Sequence, residues 1–163
     1  IMFTAESNAV NLTDGLDGLA TGLSMIATSV FVIFAIMNKN YEIAIYAMII
    51  VGALLGFMYF NYHPARIFLG DTGSLALGGM LAALAVLTNQ ELLLILIGGV
   101  FLMETLSVVI QVVSFKTRGK RVFKMAPIHH HFDMLGWKEQ QVVISFWFLG
   151  FICGIIGIVL GVM

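Results

Sequence analysis

Five apolar runs divide this chain, and short polar stretches separate each run from the next. The runs cover residues 19–37, 42–60, 74–88, 92–115 and 140–162. A helix needs about 20 apolar residues to cross a hydrocarbon layer of about 30 Å, and most of the runs reach that length. The pattern predicts an all-α integral membrane protein with about five transmembrane helices, in a single domain over residues 1–163.

Composition strengthens the membrane interpretation. Hydrophobic residues make up 60% of the chain and charged residues only 10%, whereas charged residues make up about 25% of an average soluble domain. Five apolar runs leave too little polar chain to cover a soluble core.

The third run is the shortest, and we interpret it as a span. A re-entrant loop there would place the basic segment 116–124 outside, against the positive-inside rule.

Basic residues are divided unequally between the two sets of loops. The segments 1–18, 61–73 and 116–139 hold seven of the eight Lys and Arg residues, and the other set holds only Lys39. Since cytoplasmic loops carry the excess of Lys and Arg, the long loops are predicted to be cytoplasmic and the C-terminus outside. The polar motifs lie in the same loops, so we expect a site that is reached from the cytoplasm.

The first polar motif is "NAVNLTDGLDGLA", residues 8–20, directly before an apolar run. Its amides and carboxylates recur at a spacing of three and are Asn8, Asn11, Asp14 and Asp17. One interpretation is polar capping of the first span. The other is that these side chains present oxygens into a cleft for a metal and a nucleotide.

The second motif is "FNYHPARIFLGDTGS", residues 60–74. Asp71 or Ser74 could cap the third span. A helix N-terminus also suits phosphate, because its free N–H groups and positive dipole end attract anions. A carboxylate at that place would compete with phosphate unless it held a hard cation such as Mg²⁺, which prefers oxygen ligands. The motif therefore predicts a metal.

The third motif is "APIHHHFDMLGWKEQQ", residues 126–141. Adjacent side chains diverge, so His129, His130 and His131 do not suit a zinc site and are better interpreted as donors and titratable groups around anions. The alternative is an interfacial loop that Trp137 anchors in the membrane. Glu104 lies within the fourth run and is expected to face the bundle interior or a groove, because a charge in lipid is costly.

The three motifs together resemble the later cytoplasmic loops of the phospho-N-acetylmuramoyl-pentapeptide transferase family, over essentially the whole chain. Two of them, "NLTDGLDGLA" and "FLGDTGS", are also similar to the wider superfamily of polyprenyl-phosphate sugar-1-phosphate transferases, whereas "PIHHHF" points to the muramoyl branch. Arg66 stands where the family often has lysine, and Asp133 where glutamate is usual. The resemblance implies transfer of phospho-MurNAc-pentapeptide from UDP-MurNAc-pentapeptide to undecaprenyl phosphate, giving lipid I and UMP, in the bacterial cytoplasmic membrane.

The resemblance also implies roles for individual residues. Asp71 and the amide oxygen of Asn11 would hold Mg²⁺, and Asp71, Asp14 and His130 would be catalytic. A carboxylate suits the uracil imide N–H and an aromatic face suits the base, so Asp17, Asn61 and Phe68 would line the uridine pocket. The remaining substrate-binding positions that it implies are Asn8, Asn11, Asp14, Gly70, Ser74, Gln111, His129, His130 and His131.

Members of this family have about ten membrane helices and a pair of adjacent aspartates in an earlier cytoplasmic loop, and this chain contains no such pair. We expect the chain to correspond to the C-terminal half and to be inactive unless the N-terminal half is supplied. The other expected partners are the two substrates, the lipid bilayer and, as an option, a second copy in a homodimer. No nucleic acid is expected.

Two alternatives are weighed against this assignment. A sibling transferase would use UDP-N-acetylglucosamine or a related sugar with the same lipid, and the three histidines argue against it. Half of a secondary transporter would use midplane ionisable groups such as Glu104. Transporters concentrate polar groups near the midplane, whereas this chain places nearly all of them in loops on one side.

Overall fold

A computed structural model describes all residues, 1–163, and every regular element in it is a helix. Five helices are long and apolar enough to cross a membrane, which confirms the predicted all-α membrane fold. These spans are α2, α3, α4, α6 and α8. The elements are α1 (Met2–Thr13), α2 (Leu19–Met37), α3 (Tyr41–Asn61), α4 (Gly70–Leu87), α5 (Glu91–Ile97), α6 (Gly99–Arg118), α7 (Ile128–Asp133) and α8 (Glu139–Val162).

The N-terminal segment is a helix, and its prediction as a loop is wrong for Met2–Thr13. Helix α1 buries Ala9 and Val10 on one face and packs against α4 and α6. Only 12 residues long, it contains no apolar run of spanning length, so hydropathy could not identify it. The polar residues from Asn8 to Asp14 therefore lie along α1 and at its C-terminal end.

Helix α4 begins four residues before the predicted run, at Gly70. The prediction that Asp71 or Ser74 caps this helix is wrong, because Leu69 is the N-cap residue and no side chain caps it. The Ser74 hydroxyl instead donates a hydrogen bond to the Gly70 carbonyl at 2.9 Å. Gly70 has φ of +61°, a conformation that favours glycine and here turns the chain into the helix.

The fourth apolar run is interrupted at Gly98, which separates α5 from α6. The prediction of one continuous helix over this run is wrong. The adjacent glycines Gly98 and Gly99 weaken the helix, because each lowers helix stability by about 1 kcal/mol relative to alanine. A Cβ at position 98 would also lie 3.2 Å from the Glu6 carboxylate oxygen Oε1. The break between α5 and α6 therefore lies where Glu6 of α1 packs against Gly98.

Helix α2 occupies the centre of the bundle and packs against α3, α4 and α8. Its aromatic side chains Phe31 and Phe34 are fully buried. Helix α8 faces it with glycines, and a Cβ on Gly150 would lie 2.6 Å from Leu23. Small residues of this kind allow membrane helices to approach closely.

All three sequence motifs lie at one end of the bundle. This motif end consists of residues 14–18, 62–69 and 119–138, which connect the helices there. At the opposite end the two short turns, 38–40 and 88–90, are joined by a hydrogen bond that Asn38 Nδ2 donates to the Thr88 carbonyl at 3.0 Å. The bundle thus carries all three polar motifs at one end and only two short turns at the other.

The contact between α1 and α4 gives a stability test. A Cβ at position 78 would lie 2.5 Å from the backbone of Glu6 and Ser7, whereas a Cβ at position 52 on α3 would meet no atom within 4 Å. We expect Gly78→Ala to lower the Tm of the full-length protein in detergent, because overpacking costs about 1–3 kcal/mol. Gly52→Ala is the matched control and should leave the Tm unchanged or raise it. Equal Tm values for the two variants would contradict the packing described.

Candidate functional site

The ends of α1 and α4 bring an amide, a carboxylate and a hydroxyl together. Asn11 Nδ2 donates to Asp71 Oδ1 at 3.0 Å and to Ser74 Oγ at 2.9 Å. These bonds join the first and second motifs. They leave Asn11 Oδ1 and Asp71 Oδ2 without a hydrogen-bond partner in the chain.

Asp14 adds a second carboxylate to this group. It is the C-cap residue of α1, and its N–H donates to the Asn11 carbonyl. Burial and, second, the negative charge of Asp71 raise the pKa of Asp14 from 3.8 to about 6. An anionic Asp14 is therefore disfavoured unless a cation is bound close by. Three oxygen-bearing side chains form this oxygen cluster, which we define as Asn11, Asp14 and Asp71.

The histidine triplet lies on the short helix α7 and packs against the Asp14 turn. His129 is fully buried, and its imidazole lies against Gly15 so closely that any Cβ at position 15 would collide with the ring. The first and third motifs are therefore in direct contact. The glycine at position 15 is what allows this approach.

His129 also meets Glu104 of α6. His129 Nδ1 is 3.1 Å from Glu104 Oε2, and the His129 N–H donates to the same oxygen at 3.4 Å. The ring and the carboxylate lie within ion-pair range but are not aligned for a hydrogen bond, and neither ring nitrogen has another partner. Glu104 is fully buried, which confirms the prediction that it faces the interior.

The other two histidines have different surroundings. The His130 ring contacts the His129 ring at a tilt of 55°, with ring centroids 4.2 Å apart. Burial and, second, the neighbouring His129 lower the pKa of His130, so its neutral imidazole is favoured. His131 Nδ1 accepts a hydrogen bond from the Lys124 N–H at 3.1 Å, which ties α7 to the basic segment.

Two predicted substrate-binding amides are occupied by bonds within the chain. Asn61 Oδ1 accepts from the Thr21 hydroxyl at 2.6 Å, and Asn61 Nδ2 donates to the Ile67 carbonyl at 2.9 Å. Gln111 Oε1 accepts from the N–H groups of Val122 and Phe123, and its Nε2 donates to the Phe123 carbonyl, all at 2.9 Å. Both amides brace the loops at the motif end, and their contact with substrate stays a prediction.

The remaining predicted substrate-binding residues are Phe68, Asn8 and Gly70. Phe68 is 69% exposed, so its ring is open to a ligand. Asn8 is exposed and donates to the Thr4 carbonyl at 2.7 Å, within its own helix. Gly70 starts α4 next to Asp71.

A second polar group forms around Asp17, and the sequence analysis did not identify two of its members. His63 Nδ1 is 3.1 Å from Asp17 Oδ2 and 3.2 Å from Glu139 Oε2. One donor atom from each residue lies within 4.8 Å of the others, which is the spacing of a metal ligand set. The direct contacts of the imidazole with both carboxylates already link the three residues. His63 lies in the second motif and Glu139 in the third. That position was the only indication in the sequence that they belong to the site.

Comparison with known proteins gives a consistent result. The sequence profile of glycosyl transferase family 4 matches residues 1–89. Over 161 residues the chain is 60% identical to a phospho-N-acetylmuramoyl-pentapeptide-transferase of Bacillus cytotoxicus, and 59% identical to proteins of the same name from Bacillus thuringiensis and Bacillus cereus. These matches cover 99% of the chain and 50% of each relative. The chain thus spans about half the length of the curated relatives it matches.

The raised pKa of Asp14 predicts a pH-dependent stability. Its protonated form stabilises the folded state below the ordinary pKa of 3.8, and this contribution is lost as the pH rises through about 6. In EDTA we expect isosteric Asp14→Asn to raise the Tm of the full-length protein by a few degrees at about pH 8 and to have almost no effect at about pH 4. Asp133→Asn, at an exposed aspartate, is the control. A Tm difference between Asp14→Asn and wild type that is the same at both pH values would contradict the assignment.

Proposed function

This chain belongs to glycosyl transferase family 4, and we propose that it forms part of the enzyme that transfers phospho-MurNAc-pentapeptide from UDP-MurNAc-pentapeptide to undecaprenyl phosphate. The products would be lipid I and UMP. The observation that carries the proposal is the convergence of the oxygen cluster and the histidine helix α7 at one end of a bundle of apolar spans. The shared name of the Bacillus relatives supports it.

The chemistry of this reaction calls for a cation. Both substrates are anions, and two unit charges 4 Å apart at an effective dielectric of 20 repel by about 4 kcal/mol. The oxygen cluster adds carboxylates to them, and its all-oxygen donor set fits Mg²⁺. Asp71 and the free amide oxygen of Asn11 would hold the ion, which when bound would neutralise the diphosphate and stabilise the UMP leaving group.

Asp14 and His130 suit the proton and charge requirements of the same reaction. Without a cation the pKa of Asp14 is about 6, and a cation held by Asp71 would favour the anionic form, which could accept the proton of a phosphate monoester whose second pKa is about 6. His130 is held towards the neutral form. In that form it donates a hydrogen bond to a phosphate oxygen without carrying a full charge.

The nucleotide would bind on the neighbouring side, around Asp17 and Phe68. Asp17 Oδ1 has no hydrogen-bond partner in the chain, so it can accept from the uracil imide N–H. The exposed Phe68 ring offers a face on which the base can stack. Asn61, which is fully bonded within the chain, supports the loop that carries Phe68.

The motif end would face the cytoplasm of the bacterial inner membrane, with the C-terminus outside. Seven of the eight Lys and Arg residues lie at or beside that end, and the positive-inside rule favours this orientation. Because the relatives are twice as long as this chain, the N-terminal half would complete the site and the segment alone would be inactive.

UMP release by the full-length protein tests the proposal. In detergent with undecaprenyl phosphate we expect release from UDP-MurNAc-pentapeptide in Mg²⁺, none in EDTA, and none from UDP-N-acetylglucosamine. Release from the second sugar alone would assign the protein to a sibling transferase. Release from neither would reject the enzymatic proposal.

Two substitutions separate catalysis from folding in that assay. Asp71→Asn should lower UMP release at least about tenfold, or about 1.4 kcal/mol of transition-state stabilisation, because it removes the charged metal ligand. His130→Ala should lower turnover more than it lowers the Tm. Glu42→Gln, at the opposite end of the bundle, should do neither. Wild-type turnover in a folded Asp71→Asn or His130→Ala protein would contradict the corresponding role.

A further inference from the structure

We propose that His63 and Glu139 are positioning residues that fix the Asp17 carboxylate and so make the site select uracil over cytosine. This inference rests on the proposed function, in which Asp17 meets the nucleotide base. His63 and Glu139 touch neither the oxygen cluster nor the histidine helix in the hydrogen bonds described. Their contacts converge on Asp17 instead.

Glu139 fixes the backbone of the Asp17 turn. It is the first residue of α8, and its Oε1 accepts a hydrogen bond from the Asp17 N–H at 2.8 Å. This bond joins residues 122 positions apart in the sequence. The turn between α1 and α2 is therefore held against the start of the last helix.

His63 and the neighbouring backbone fix the side chain. Asp17 Oδ2 is 3.1 Å from His63 Nδ1 and accepts a hydrogen bond from the Ala65 N–H at 2.9 Å. His63 Nδ1 is in turn 3.2 Å from Glu139 Oε2, so the imidazole is held between the two carboxylates. Asp17 Oδ2 has two partners and Oδ1 has none in the chain, which means that the carboxylate presents one defined free oxygen.

A fixed free oxygen distinguishes uracil from cytosine by whether the ring nitrogen at position 3 donates or accepts a hydrogen bond. Uracil carries an N–H at ring position 3 and donates to a carboxylate. Neutral cytosine has a lone pair at the same position and is repelled by it. A site built around one such hydrogen bond rejects a ligand that cannot make it, because its own group is left unpaired. A carboxylate free to rotate would lose part of that discrimination.

Binding of UMP and CMP to the full-length protein in Mg²⁺ tests the inference by calorimetry. We expect the wild type to bind UMP more tightly than CMP. His63→Ala and Glu139→Ala should weaken UMP binding about tenfold, the scale of one hydrogen bond to a charged group, with little change in CMP binding. The ratio of the two Kd values should therefore fall. Gln140→Ala, at an exposed neighbour of Glu139, is the matched control and should keep the ratio.

Conservative variants keep the test decisive where an alanine variant fails to fold. His63→Asn retains an N–H donor near the position of Nδ1, so it should restore the wild-type ratio. Glu139→Gln keeps an acceptor for the Asp17 N–H but replaces the second oxygen with a donor, so the ratio should fall. An unchanged ratio in a folded Glu139→Gln protein would overturn the inference.

The inference and the proposed function fail in distinguishable ways. A wild-type protein that releases UMP from UDP-MurNAc-pentapeptide but binds UMP and CMP equally would overturn the inference alone. Equal losses of UMP and CMP binding in the variants would do the same, because they would indicate a general structural role. A wild-type protein that binds no UMP and releases none would reject the proposed function.

Discussion

The close contact of α1 with α4 at Gly78 determines where the oxygen atoms of the candidate site lie. The two helices cross with Ser7 against Gly78, Asn11 against Ser74, and Asp14 near Asp71. Residues at spacings of four and three share one helix face, so both helices present matching rows in antiparallel order. Asn11 and Asp14 of the first motif thus belong to an interhelical seam that ends in a group of oxygens.

The ionisable groups inside this apolar bundle lie against one another and not against lipid. An ionisable group in lipid is costly and is normally paired or faces the protein interior. Glu104 and His129 are fully buried against each other, and α7 rests on the Asp14 turn through Gly15. The motif end therefore consists of two connected polar groups, the oxygen cluster with its histidines and the Asp17 group, which share the turn at residues 14–18.

The sequence predicted the parts of this arrangement that depend on local pattern. Apolar runs located α2, α3 and α8 to within one residue at each end, because a helix that crosses the membrane must be apolar over its length. Helix α1 could not be found in this way, since it is short and half polar, and the break at Gly98 depends on where α1 packs. His63 and Glu139 lie 46 and 122 residues from Asp17, a proximity that only tertiary structure creates. Asn61 and Gln111 likewise have bracing roles that no local motif indicates.

The central claim is that Asn11 and Asp71 hold one divalent cation, and Mn²⁺ binding measured by electron paramagnetic resonance tests it most directly. Mn²⁺ takes the same oxygen ligands as Mg²⁺, and its signal reports the bound fraction without any turnover. For the full-length protein in detergent we predict one bound Mn²⁺ per chain, displaced by Mg²⁺ and lost in Asp71→Asn, with weaker binding in Asn11→Ala. Undiminished Mn²⁺ binding in a folded Asp71→Asn protein would contradict the account.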